Sequence, residues 1–204
     1  MSINKQPFQV AGFAEASGGG GASGGLLSQQ TFTSSGTWVK PEGCTKIRVQ
    51  VQASGGGGRN WGHASGAGGY SEKLIDVSEI DEETVTVGAA PATSGAGNSS
   101  SFGAHCSATG GLAPSTRGGY GGVGTGGDIN VRGGGGDSGG NISPYTSYEG
   151  GSSYFGSGSH GYMTTNVGDA SQNGAYGSGG GAAHNGYTAL PNPPGGIVIV
   201  WEYA

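Results

Sequence analysis

The chain carries little charge: 8 Lys/Arg and 13 Asp/Glu make up 10% of its 204 residues. Chains that stay unfolded usually combine low hydrophobicity with high net charge. Low charge therefore argues against ordinary disorder, even with only 32% hydrophobic residues. Cysteine is nearly missing as well. Cys44 and Cys106 make no disulfide framework. They either pair or remain buried thiols, and free thiols are the better expectation because one bridge adds little to a domain of this size. No apolar segment approaches the ~20 residues of a membrane helix. The opening MSINKQPFQVAGF lacks a basic stretch followed by an apolar run, so no cleaved leader is expected. No segment shows a helical 3.6 period either.

The charge that exists is unevenly placed. Residues 1–73 hold six Lys/Arg against three Asp/Glu, and residues 74–204 hold two against ten. Phosphate backbones require clustered Lys and Arg, so nucleic acid is excluded as a partner.

Catalytic and metal motifs are also wanting. GAHC at 103–106 and GGGGDSGG at 133–140 resemble the histidine and serine motifs of trypsin-like proteases, with His105, Asp128 and Ser138 in triad order. That fold takes its histidine and serine from separate barrels roughly 140 residues apart. Here 33 residues separate them, and Asn141 stands where proline is expected. No glycine run ends in Gly-Lys-Ser or Gly-Lys-Thr, so no phosphate loop is present. The histidines lack a His-x-x-x-His or Cys-x-x-Cys companion. GGVGTGGDI misses the calcium-binding nonapeptide register and does not repeat. The expectation is a non-enzyme without metal or cofactor.

What is present is β pattern and glycine. QQTFTSSGTWVKPEGC places β formers around two turns. In TKIRVQVQA, residues Ile47, Val49 and Val51 alternate with Arg48, Gln50 and Gln52, the mark of a half-buried strand. YSEKLIDVSEI and ETVTVG continue the pattern. About a hundred residues follow without it, until the run Ile197 to Trp201, which reads as a strand buried on both faces. A disordered tail has no reason to end in such a strand, so it is expected to pair with the early strands and close a frame. The predicted organisation is an arm and Gly/Ser linker over 1–28, a β frame over 29–90 and 197–203, and an insertion over 91–196.

The chain has 50 glycines, about three times the usual share, without the strict period of collagen. The insertion has too little apolar surface for a conventional core. Glycine lacks a Cβ, so extended left-handed helices of three residues per turn can pack backbone against backbone and satisfy their polar groups on one another. The expected fold is all-β: a small β-sandwich-like frame with a long insertion packed as polyglycine type II helices. Segments such as RNWGHAS, LAPSTR, NISPYTSYE and AAHNGYTALPNP do not fit inside such a lattice and are expected as loops at its ends. Their rings, with Asn and Ser nearby, resemble a paratope, where rigid amphipathic side chains combine with adaptable hydrogen bonding. The candidate binding residues are Trp61, His63, Tyr145, Tyr148, His160, Tyr162, Tyr176, His184 and Tyr187. Any one ring is alternatively a cap on the lattice. Tyr154 and Phe155, tight between glycines, are expected to be structural. Phe8, Val10 and Phe13 make the arm a candidate anchor.

TFTSSGTWVKPEGCTKIRVQVQASGGGG, GGYSEKLIDVSE, TVTVGAA, GNSSSFG and the closing PPGGIVIVWEY resemble the glycine-rich domain at the C-terminal ends of bacteriophage and prophage tail-fibre proteins. The resemblance covers about residues 29–204. The insertion also resembles the polyglycine type II core of distal tail-fibre adhesins of T-even-type phages. The resemblance implies a virion protein, exposed at a tail-fibre tip, whose loops bind a bacterial surface polysaccharide or an outer-membrane protein. It further implies an arm that joins another virion protein, and possible homotrimers.

Overall fold

The computed structural model describes residues 24–60, 62–92, 94–139, 148–161, 174–183 and 193–204. Its strands are β1 (Leu26–Phe32), β2 (Gly36–Val39), β3 (Lys46–Gln52), β4 (Arg59–Asn60), β5 (Tyr70–Asp76), β6 (Glu82–Thr86), β7 (Ser100–Phe102), β8 (Cys106–Ala108), β9 (Gly124–Thr125), β10 (Ile129–Val131), β11 (Ala182–Ala183) and β12 (Ile197–Tyr203). No helix occurs among the described residues. The fold is all-β, with two antiparallel five-stranded sheets in the orders β1-β12-β3-β5-β10 and β2-β6-β7-β8-β9. A short parallel pair joins β11 to β4. As the sequence suggested, the closing strand β12 pairs with early strands, lying between β1 and β3.

The core sits between the two sheets. Period-2 alternation sends Ile47, Val49, Val51, Val198 and Val200 to one face, where they meet Trp38, Val85, Phe102, Cys106 and Ala108 of the other sheet. Phe102 packs edge-on against Trp38, with ring centroids 5.8 Å apart. Glu202 is fully buried in this layer. Its carboxylate accepts the Trp38 indole N–H and the Gln30 amide, both at 2.7 Å, and the Ser28 hydroxyl. Burial of such a group demands partners of this kind. Cys44 and Cys106 are free and buried. Burial pushes the Cys106 thiol up to about 11, which leaves it protonated and unreactive at neutral pH.

Two expectations need correction. The strands β7 to β10 fall inside the span assigned to the glycine insertion, while the glycine runs 53–58 and 64–69 lie inside the span assigned to the frame. Short strands of three residues carry too little alternation to be read, and the runs sit between strands that carry much. The closing strand is also not buried on both faces. Val198, Val200 and Glu202 are buried, but Ile199, Trp201 and Tyr203 are partly exposed on the opposite side.

That opposite side carries a polar row. Trp201 donates its indole N–H to Gln50 Oε1 (3.0 Å), and Gln50 Nε2 donates to the Tyr70 hydroxyl (2.9 Å). Tyr70 donates to Glu72, which also takes Nε and Nη2 of Arg48 at 2.7 and 2.9 Å. The Arg48 guanidinium, opposed by burial and helped by the Tyr70 hydroxyl, holds the Glu72 carboxyl below its ordinary value of 4.5. Because the folded state binds this proton more weakly, the resulting stability is present above the unfolded value and is lost as pH falls through the folded one. The stability gap between the native chain and Glu72→Gln is therefore expected to narrow as pH falls from about 6 to about 3. Urea midpoints across that range check it, and a constant gap would contradict it.

The glycine-rich segments stand on the ends of the sheet strands and bond to one another through their backbones. Residues 64–69 lie at the centre. Their N–H groups donate in turn to Asp137, Gly180, Leu112, Gly134, Gly177 and Thr109. The target segment thus repeats every three residues, and each target moves by three. The carbonyls repeat the pattern: Ala64 and Ala67 accept from Gly119 and Gly122, and Gly66 and Gly69 accept from Gly56 and Ala53. Ser65 accepts from Gly151, and Gly68 accepts from the side chain of Gln52. The surrounding segments also bond to each other: 53–57 to 111, 112 to 120, 119 and 122 to 136 and 133, 134 and 137 to 152 and 149, 151 to 179, and 180 back to 56. A closed ring of segments therefore surrounds a central one.

Candidate functional site

The array has two ends, and its hydrogen bonds identify them. One end adjoins the strands through Ala53, Gly69, Asn98, Thr109, Val123 and Gly196. At the other, Ser94 donates to Gly58, Gly139 to Gly62, Gly161 to Tyr148, and Tyr148 exchanges bonds with Ala182. His63 bridges to Ser138, and Gly118 donates to the Ser138 hydroxyl at 2.7 Å. The turn from Leu112 to Gly118 closes here as well, with Leu112 donating to Tyr120 and Ser115 to Arg117. The residues that flank 140–147, Gly139 and Tyr148, lie at this distal end, as do Gly161 and Ala183, which precede 162–173 and 184–192. The turn from Leu112 to Gly118 and the array residues Gly139, Tyr148, Gly161 and Ala183 thus meet at one pole, and the sheets occupy the other.

The predicted site residues divide as follows. Trp61, Tyr145, Tyr162, His184 and Tyr187 lie outside the described residues, and so do Phe8, Val10 and Phe13 of the arm. His63 is at the distal end, partly buried, and its Nδ1 is enclosed without a hydrogen-bond partner. His160 is also there and is exposed, its Nδ1 3.2 Å from Glu149 Oε1. Tyr148 requires correction. It is buried against Ala64 and Ala182, and its ring fills the space beside Gly62 and Gly139. It caps the array, as an aromatic ring beside bare backbone excludes water well. Tyr176 is corrected in position: it is exposed, but it lies at the strand end, next to Gly177, which packs on Gln52 and donates to Gly195.

The structure adds residues that sequence reasoning left out of the site. A hollow of about 400 Å³ at the distal end is lined by Leu112, Ser115, Thr116, Arg117 and Tyr120, among others. Leu112 and Tyr120 are 50% and 65% exposed. Arg117 is one of two basic residues after position 73, and the other, Arg132, donates to the Gly121 carbonyl. Pockets that hold ligands combine apolar walls with a few polar groups, and this one brings Leu112 and Tyr120 together with the exposed Ser115, Thr116 and Arg117. A basic residue within an acidic half of the chain was the available signal.

His105, Asp128 and Ser138 are each engaged separately. His105 Nε2 lies 3.2 Å from Glu83, Asp128 accepts from the Leu74 N–H, and Ser138 accepts from Gly118. Comparison with protein-family models gives no match, and comparison with curated proteins gives none either.

Proposed function

We propose that this chain is a bacteriophage tail-fibre tip that binds a receptor on the bacterial surface through the segments gathered at the distal end of the glycine array. The observation that carries this reading is the separation of two poles: the Leu112–Gly118 turn and the array residues Gly139, Tyr148, Gly161 and Ala183 meet at one, and the β sheets occupy the other. The glycine segments are proposed to form a polyglycine type II array. The three-residue repeat of hydrogen-bond targets and the absence of room for Cβ atoms support that geometry. Such an array holds loop ends rigidly without an apolar core, so surface composition at its pole is free to vary. The receptor is a surface polysaccharide or an outer-membrane protein, and the N-terminal segment joins the tip to another virion protein, in an assembly that is a candidate homotrimer. No catalytic step is assigned.

Binding of the labelled protein to a panel of bacterial strains tests the reading. Strain-selective binding is expected, and replacing residues 141–147 with Gly/Ser or making the double change Arg117→Ala, Tyr120→Ala should weaken it at least about tenfold, the scale of a central contact. The unfolding free energy of the double variant should stay within about 0.5 kcal/mol of the native chain, as for exposed positions. Normal binding by both variants would sink the distal assignment. No binding to any strain would instead favour the alternative reading, a purely structural virion fibre or decoration protein anchored by its N-terminal arm.

A further inference from the structure

At the opposite pole, where the array meets the sheets, the chain turns at Ser153–Gly156 and presents two rings. Tyr154 lies parallel to Tyr70, with centroids 3.8 Å apart and planes 10° apart. Tyr70 is 1% exposed and Tyr154 51%, so one face of Tyr154 is covered by Tyr70 and the other is open. Phe155 stands at 87° to Tyr154, with centroids 5.5 Å apart, and its edge meets Tyr70 as well. Tyr154 forms the floor of a corner, and Phe155 stands at its edge beside the stack. The backbone beneath is pinned: Tyr154 N–H points to Gln52 Oε1 and Phe155 N–H to the Ser153 hydroxyl. The Tyr70 hydroxyl under this stack belongs to the row Trp201–Gln50–Tyr70–Glu72–Arg48. Arg48 is 41% exposed on its side chain, and its Nη1 makes no hydrogen bond among the described residues.

We propose that this corner is a saccharide site that takes one pyranose unit of a neutral polysaccharide. A pyranose has an apolar C–H face and a rim of hydroxyl groups, each both donor and acceptor. The open face of Tyr154 suits the first, with Phe155 at its edge. The second calls for donors and acceptors, and Arg48 Nη1 is a donor that the row leaves without a hydrogen bond among the described residues. An apolar protein partner would instead leave the charged Arg48–Glu72 pair desolvated without compensation. The site is separate from the distal pole and does not rest on the receptor-binding reading given there. In that setting it adds a second hold on a long glycan.

NMR titration of the full chain with isomaltopentaose, mannopentaose and a β-galactan tetraose tests the proposal. At least one is expected to shift the Tyr154, Phe155 and Trp201 indole signals with a dissociation constant on the order of 1 mM. Tyr154→Ala should weaken that binding about tenfold, while Tyr154→Phe should keep it within about twofold, because stacking needs only the ring. Preserved dispersion of the remaining signals establishes that each variant is folded. Absence of shifts with all three probes overturns the proposal, as do shifts confined to Arg117 and Tyr120. So does a Tyr154→Ala variant that keeps its saccharide shifts but loses self-association in sedimentation, which would mark a contact between copies.

Discussion

Gly136→Ala is expected to destabilise the protein by about 3 kcal/mol or more, while the same change one residue earlier, at Gly135, is expected to be harmless. A Cβ on Gly136 would stand 2.5 Å from the Ser65 carbonyl oxygen, and the Ala64 carbonyl would be closer still. These atoms are backbone of the central segment, so no side chain can rotate away. Making room means separating two segments of the array that are tied by the Ala64 and Ala67 N–H groups to the Asp137 and Gly134 carbonyls. A Cβ on Gly135 meets only the Gly119 carbonyl oxygen, at 3.5 Å, an ordinary van der Waals contact. Gly135 also has no positive φ, so alanine there lowers the entropy of the unfolded chain and should stabilise by about 0.4–1 kcal/mol. Thermal scans would separate the pair by roughly 6–12 °C for a chain of this length. Equal losses at both positions would mean that the array tolerates expansion, and its backbone-to-backbone contacts would then not hold the fold.

The same contrast shows what the sequence reveals and what it hides. Alternation through Ile47, Val49 and Val51 and the apolar run at Ile197 made the first sheet legible, because one buried face imposes a period of two. The second sheet was partly hidden, since Ser100–Phe102 and Cys106–Ala108 are too short to show a period. That glycine would pack through its backbone was legible from composition. Which run would be central was not: ASGAGG at 64–69 differs little from its neighbours, and its place follows from long-range bonds to residues as distant as Gly180. Among the rings, Tyr148 lies two residues before Gly150 and Tyr120 between two glycines, yet the first is buried and the second open. Their difference follows from long-range neighbours, Ala64 and Ala182 for Tyr148 and the open hollow for Tyr120, which the local sequence does not show. Tyr154 and Phe155 were expected to be structural from their tight glycine frame. The stacking on Tyr70 agrees for the covered ring face and leaves the other face for a ligand.

Gln52→Glu is expected to cost about 4 kcal/mol at neutral pH and to recover much of it in acid. Gln52 ends β3 and is fully buried where the first sheet meets the array. Its amide Nε2 lies 2.9 Å from the Gly68 carbonyl, 3.0 Å from that of Gly69 and 3.1 Å from that of Ala53, and its Oε1 faces the Tyr154 N–H at 3.4 Å. The repeat of three explains this position. Gly151 donates to Ser65, so three residues on, the Tyr154 N–H is due to meet the Gly68 carbonyl. The Gln52 amide stands between them, accepting from one and donating to the other, and so couples a strand of the sheet to the array. Gln52→Leu, which removes both links, is expected to cost about 2–3 kcal/mol through the unpaired carbonyl and N–H. A carboxylate adds a buried charge facing carbonyl oxygens, so the folded state should raise the glutamate pKa. Stability is then fullest below the unfolded value of about 4.3 and falls as pH rises toward the folded value, by about 1.36 kcal/mol per pH unit. Urea midpoints measured for both variants between about pH 3 and pH 8 decide the matter. A steep pH dependence in Gln52→Glu absent from Gln52→Leu places the amide as a donor to carbonyls, whereas parallel profiles would mean that water or a shifted backbone takes its place.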